Sequence, residues 1–201
     1  SGRILLRLEG SLGRAGGNLI AGNGNRWNRL LYASVPLDNN VVLGNRVYGY
    51  SRVNVGLWLG GTRAALRNNT IGHHDRDVVT AEPSGCVTLS VGYTGPVANN
   101  LFVGCGTHAV VEEASTSVTP TVWNNLFFGS TTADYWDRNG NVSTGAVAIN
   151  ANVAGAANNV EGDPLLPVMA TGTWTAGGVF EASDIAHWID VKHAEAAAVS
   201  A

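Results

Sequence analysis

Charge is scarce in this chain: Asp, Glu, Lys and Arg make up 13% of 201 residues, and the formal net charge is -3. Holding nucleic acid or an anionic membrane surface takes a cationic face, so neither is expected as a general partner. Two cysteines, Cys86 and Cys105, are too few for a disulfide framework, and neither their spacing nor their neighbours suggest zinc. The simplest reading is two buried thiols acting as small hydrophobes, with a bridge between adjacent repeats as the alternative. No apolar run approaches the length of a membrane span, and no signal peptide is visible. The chain opens SGRILLRLEG without a methionine, as a mature, processed or excised product would.

What the chain does have is small and apolar residues, 45% hydrophobic with 26 glycines, and a recurring asparagine. Asparagine is a poor strand former, yet it interrupts apolar runs again and again. It does so in IAGNGN (Ile20 to Asn25), VLGNRVYG (Val42 to Gly49), LRNNTIG (Leu66 to Gly72), VANNLFVG (Val97 to Gly104), VWNNLFFG (Val122 to Gly129) and GAANNVEG (Gly155 to Gly162). Aligned on one polar column, these give Asn23, Asn45, Asn69, Asn100, Asn125 and Asn159, with steps of 22, 24, 31, 25 and 34 residues. A constant frame with variable insertions is the signature of a solenoid, in which each repeat buries its apolar face against its neighbours. Between these asparagines lie short apolar runs bounded by glycine or polar residues, which read as strands. They are Leu30 to Tyr32, Gly56 to Leu59, Cys86 to Leu89, His108 to Val111 and Ala146 to Ile149.

Three short strands per coil with asparagine at one corner resembles the right-handed parallel β-helix of the pectin-lyase-like superfamily. The resemblance implies an all-β solenoid of about six to seven rungs, with a ladder of asparagine amides in the tight turn between the second and third strands. The helix would occupy residues 1–182. In the GDPLL stretch (Gly162 to Leu166) the chain resembles the closing segment of bacterial β-helix proteins. Beyond it, Ser183 opens a short helix carrying Ile185, Trp188 and Ile189 on one face, so residues 183–201 read as a cap or tail. Ser1 to Leu8 already reads as a strand. That leaves the first rung uncapped and open to self-association or to a partner.

In the superfamily, loops after the third strand line a substrate groove. The two longest insertions here follow Asn69 and Asn125. They concentrate His73, His74, Asp75, Arg76 and Asp77 in one, and Asp134, Tyr135, Trp136, Asp137 and Arg138 in the other. With ladder positions two rungs apart, their roots would lie on the order of 10 Å from each other, the scale of one or two sugars. Proton abstraction beside a uronate carboxylate would use His73 or His74 as base, Arg76 or Arg138 as carboxylate partner, and Asp75 with Asp77 or Asp137 to seat calcium. Hydrolysis would use two carboxylates such as Asp75 and Asp137. Tyr135 and Trp136 would offer flat faces to sugar rings. The paired acidic motifs of pectate lyases and the Asp-Asp clusters of polygalacturonases are missing. Catalysis is therefore left open, and the expectation is a secreted or cell-surface β-helix that contacts polysaccharide. The alternative is a structural or adhesive module of a larger surface, fibre or tailspike-like assembly. The sequons at Asn68 and Asn141 read as chance, and scattered threonines exclude an ice-binding face.

Overall fold

In the computed structural model the chain is a parallel β-solenoid, described over residues 4–10, 13–21, 24–25, 29–43, 46–47, 55–72, 75–76, 85–105, 107–114, 118–130 and 132–164. Contacts divide it into a unit Ser1–Gly162 and a second, Asp163–Ala201. Of the second unit only Asp163 and Pro164 are described. The expected helix opening at Ser183, with Ile185, Trp188 and Ile189, lies outside the described residues.

Each coil contributes one strand to each of three sheets. The first sheet stacks Ile4–Leu8, Arg29–Ala33, Val55–Leu59, Gly85–Leu89, His108–Glu112 and Ala133–Trp136 in parallel; Val142–Ser143 closes its far edge antiparallel. The second sheet stacks Ala15–Gly16, Pro36–Asp38, Ala65–Arg67, Pro96–Ala98, Thr121–Trp123 and Ala156–Ala157. The third stacks Leu19–Ala21, Val41–Leu43, Thr70–Gly72, Leu101–Val103, Leu126–Phe128 and Val160–Glu161. A small fourth sheet pairs Gly24–Asn25, Arg46–Val47 and Asp75–Arg76.

Strict register puts like beside like along the axis. Inside the first sheet Leu31, Leu57, Val87, Val110 and Tyr135 form one row; Leu37, Leu66, Val97 and Val122 line the second sheet; Val42, Ile71, Phe102 and Phe127 line the third. All are buried, and at about 1.5–3 kcal/mol per large apolar side chain these rows are the main force holding coil to coil. The Phe102 and Phe127 rings stack at 5.1 Å.

The two asparagines of each doublet do different work. The first, at Asn39, Asn68, Asn99, Asn124 and Asn158, takes a left-handed backbone (φ 54 to 56°), which turns the chain from the second sheet into the third. The second is buried and joins the ladder. Its backbone and side-chain amides both donate to the side-chain oxygen of the next coil's asparagine, at 2.8–3.1 Å, from Asn18 through Asn40, Asn69, Asn100 and Asn125 to Asn159. Asn69, Asn100, Asn125 and Asn159 are thus rungs. In the first two coils the rungs are Asn18 and Asn40, where the sequence alignment had put Asn23 and Asn45; these two lie outside the described residues. In the first coil Gly17 (φ 69°) stands where the later coils have an asparagine.

A second correction concerns Ala146 to Ile149, which read as a strand. It lies in a helix, α1, spanning Gly145–Asn152, and the first-sheet strand of that coil is Ala133–Trp136. The helix's propensity is mixed, three alanines against a glycine, two asparagines and two β-branched residues, and it packs Ala146 and Ile149 onto the last coil described. Its Asn150 completes the ladder: Oδ1 accepts from Asn159 N (3.0 Å) and Nδ2 (2.7 Å), and Nδ2 returns a bond to Asn159 O (2.9 Å). Among the described residues, α1 covers the last coil.

Candidate functional site

Of the residues expected to carry chemistry, His73, His74 and Asp77 lie outside the described residues. Asp75 and Arg76 form a two-residue strand of the fourth sheet, in register with Arg46 and Val47.

The second group sits in a strand and a tight turn, not in a loop beside a groove. Asp134 is buried, and its Oδ2 accepts the amide of Gly145 (2.8 Å) at the start of α1. Tyr135 occupies the innermost row at 0% exposure, so its ring presents no face to a sugar. Trp136 is half-buried, edge-on to His108 with ring centres 5.3 Å apart. Asp137 Oδ1 accepts from the amides of Asn139 and Asn141 (2.8 Å each), holding the turn between Trp136 and Val142. Arg138 donates through Nη1 to the Val118 carbonyl. Asp134, Tyr135, Asp137 and Arg138, expected to bind substrate, thus each bond to a group within the fold.

Glu112 was missed. It follows Ala33, Leu59 and Leu89 in an inward row, so a carboxylate stands where an aliphatic side chain would be expected. Tyr135 OH donates to its Oε1 (2.5 Å) and the Arg138 amide to its Oε2 (3.2 Å). Burial pushes the Glu112 carboxyl up, and the bonds from Tyr135 and Arg138 hold it back in part. Tyr135 is driven well above the usual phenol range, first by burial and then by the neighbouring carboxylate. Asp137 is held below its usual range; burial opposes this, but the bonds from Asn141 and Asn139 outweigh it. Among the described residues no group of three or more His, Cys, Asp or Glu is arranged to hold a metal ion; Asp77, one of the residues expected to seat calcium, lies outside them.

The cysteines are joined rather than free. Cys86, in the first sheet, and Cys105, just past the third-sheet strand of the following corner, form a buried disulfide.

The outer face of the second sheet is different in kind. The residue just before each asparagine doublet points outward, giving in register Asp38, Arg67, Ala98, Trp123 and Ala157. Trp123 is 40% exposed, with alanine on either side of it along the axis. Along the adjoining corner run the exposed asparagines Asn39, Asn68, Asn99, Asn124 and Asn158. The signal for this row lay in the sequence, one place before each doublet, but it appears only once the doublet is known to mark a corner.

Comparisons with protein families, curated proteins and solved structures find no significant match to this chain.

Proposed function

We propose that this chain is a pectin-lyase-like solenoid, secreted or displayed at a cell surface, that contacts polysaccharide on its outer face. The observation that carries the reading is Trp123. A large aromatic face costs free energy when left in water, and here it stands on a parallel sheet between two alanines, beside a column of exposed amides. A flat apolar surface next to paired donors and acceptors suits a pyranose, which offers C–H groups on its face and hydroxyls at its rim. The buried disulfide supports an oxidising location. Retention on immobilised polysaccharide tests the reading: Trp123→Ala should lose it, with the fold intact by circular dichroism, and Trp136→Ala should keep it. Unchanged retention of Trp123→Ala would remove the basis of the proposal.

A structural or adhesive module of a larger assembly is the second reading, favoured by the first coil. There a cavity of about 480 Å³ is lined by Leu6, Leu8, Leu19, Ile20 and Leu31, and no described residue donates to the side-chain oxygen of Asn18. Light scattering over a concentration series tests it: a monomer throughout counts against self-assembly.

A further inference from the structure

Two glycosylation sequons that read as chance in the sequence, Asn68-Asn69-Thr70 and Asn141-Val142-Ser143, come apart in the structure. Asn141 closes the hairpin beyond Trp136: its Nδ2 donates to Asp137 Oδ2 and its amide to Asp137 Oδ1, both at 2.8 Å. Asn68 is exposed, at the corner between the second and third sheets. Its backbone is held, with φ 56° and its amide donating to the Ala98 carbonyl (3.1 Å), but its side chain makes no hydrogen bond among the described residues. Four other corner asparagines hold the same conformation, and each is followed two places on by valine or leucine where Asn68 has Thr70. Thr70 is 3% exposed, and its register row carries Val41, Leu101 and Leu126, so packing does not call for a hydroxyl there. The buried Cys86–Cys105 disulfide fits the oxidising secretory lumen in which sequons are modified.

We infer that Asn68 is the acceptor of an N-linked glycan. The donor is an oligosaccharide carried on a lipid diphosphate. Asn68 Nδ2 bonds to C1 of the first sugar, the C1–O bond to the diphosphate breaks, the leaving diphosphate takes the electron pair, and the amide gives up one proton. Thr70 is buried once its coil closes, so transfer precedes closure of that coil. The folded corner accommodates the product, because the modified amide stands in water and makes no bond to the protein. The inference takes from the reading above only the secreted or surface location. Trp123 lies two coils further along, about 10 Å, so glycan and polysaccharide contact root on different coils.

The full chain secreted from a eukaryotic cell, stripped of glycans by an amidase in heavy-oxygen water, returns each modified asparagine as labelled aspartate for peptide mass spectrometry. The parent should be labelled at Asn68. Asn68→Asp, which tolerates the left-handed corner, should lose the label, and so should Thr70→Val, which matches Val41 in the row; both should stay folded by circular dichroism. Thr70→Ser should keep it. Leu101→Thr, which writes the same sequon at the next corner, should add a label at Asn99. An unlabelled Asn68 in the folded parent, a label kept in Thr70→Val, or an unlabelled Asn99 in Leu101→Thr would overturn the inference. A urea midpoint clearly lower for the glycosylated chain than for the stripped one would overturn it as well. None of these outcomes depends on retention by Trp123, so the two readings fail separately.

Discussion

Replacing Asn100 by alanine removes four hydrogen bonds at once. Its Oδ1 accepts from Asn69 N and Nδ2, and its Nδ2 donates to Leu66 O and Asn125 Oδ1, all at 3.0 Å. The partners do not suffer equally. Asn69 Nδ2 keeps Leu37 O and Arg67 O, and Asn125 Oδ1 keeps the Asn100 amide, but the Asn69 amide is left buried with no acceptor. At about 1 kcal/mol net per bond, with an orphaned buried donor at the upper end of that scale, the loss is about 3–5 kcal/mol. The neighbour in the same doublet sets the control. Asn99 is exposed and holds φ 55°, so Asn99→Ala meets only the left-handed backbone cost, about 1 kcal/mol.

The assay is urea denaturation of the full chain followed by far-ultraviolet circular dichroism, comparing the two variants at matched slope. Asn100→Asp sharpens it: one oxygen still accepts from Asn69, but the other faces the Leu66 carbonyl and Asn125 Oδ1, so it should fall below alanine at neutral pH. Asn18→Ala should cost about 1 kcal/mol, since among the described residues that side chain donates to Asn40 Oδ1 and Gly16 O and is exposed. If Asn100→Ala cost no more than Asn99→Ala, the division of labour within the doublet would be wrong.

The disulfide closes a separation of 19 residues, so a Cys86→Ala, Cys105→Ala double variant should lose about 3 kcal/mol, read as a lower urea midpoint than the oxidised parent. Dithiothreitol should move the parent toward that midpoint and leave the variant alone. Glu112 predicts a pH dependence. Its folded-state pKa is raised, so its contribution to stability is fully present below the ordinary carboxylate range and is lost as pH rises through the folded value. Glu112→Gln, which keeps an acceptor for Tyr135, should therefore gain on the parent in thermal melts as pH goes from about 4.5 to about 7.5. Asp137 titrates below that window because its carboxyl is held low. A stability difference flat with pH would refute the account of Glu112.

The solenoid was legible because a corner needing one left-handed residue and one ladder residue writes a doublet into every coil. The phase slipped where the doublet changed form. Gly17-Asn18 hides the first corner because glycine satisfies the left-handed position without an asparagine, and the Gly-Asn pairs at Gly22-Asn23 and Gly44-Asn45 imitate it five residues later. LDNNVVL (Leu37 to Leu43) carried the correct signal in the second coil. The last long step failed for another reason. Thirty-four residues separate Asn125 from Asn159, and this was read as a loop before a strand. It holds a strand, a hairpin, a helix and a second short strand, and the helix was hidden because a run of four small apolar residues such as Ala146 to Ile149 does not distinguish helix from strand by periodicity.

Chemical residue type misled more than periodicity did. Aspartate, tyrosine and arginine at Asp134, Tyr135, Asp137 and Arg138 look like a binding cluster, but each bonds inside the fold: to the Gly145 amide, to Glu112, to the Asn139 and Asn141 amides and to the Val118 carbonyl. The informative positions are those that the fold leaves unconstrained. Inward rows must be apolar, the corner must bear Asn or Gly, and the ladder must bear Asn. The outward position before the doublet has no such demand, and it varies accordingly from Gly16 and Ala98 to Asp38, Arg67 and Trp123. Trp123 stands 40% exposed on that row, at a position that neither the inward rows nor the corner dictates, which is the physical reason for looking there for what the molecule binds.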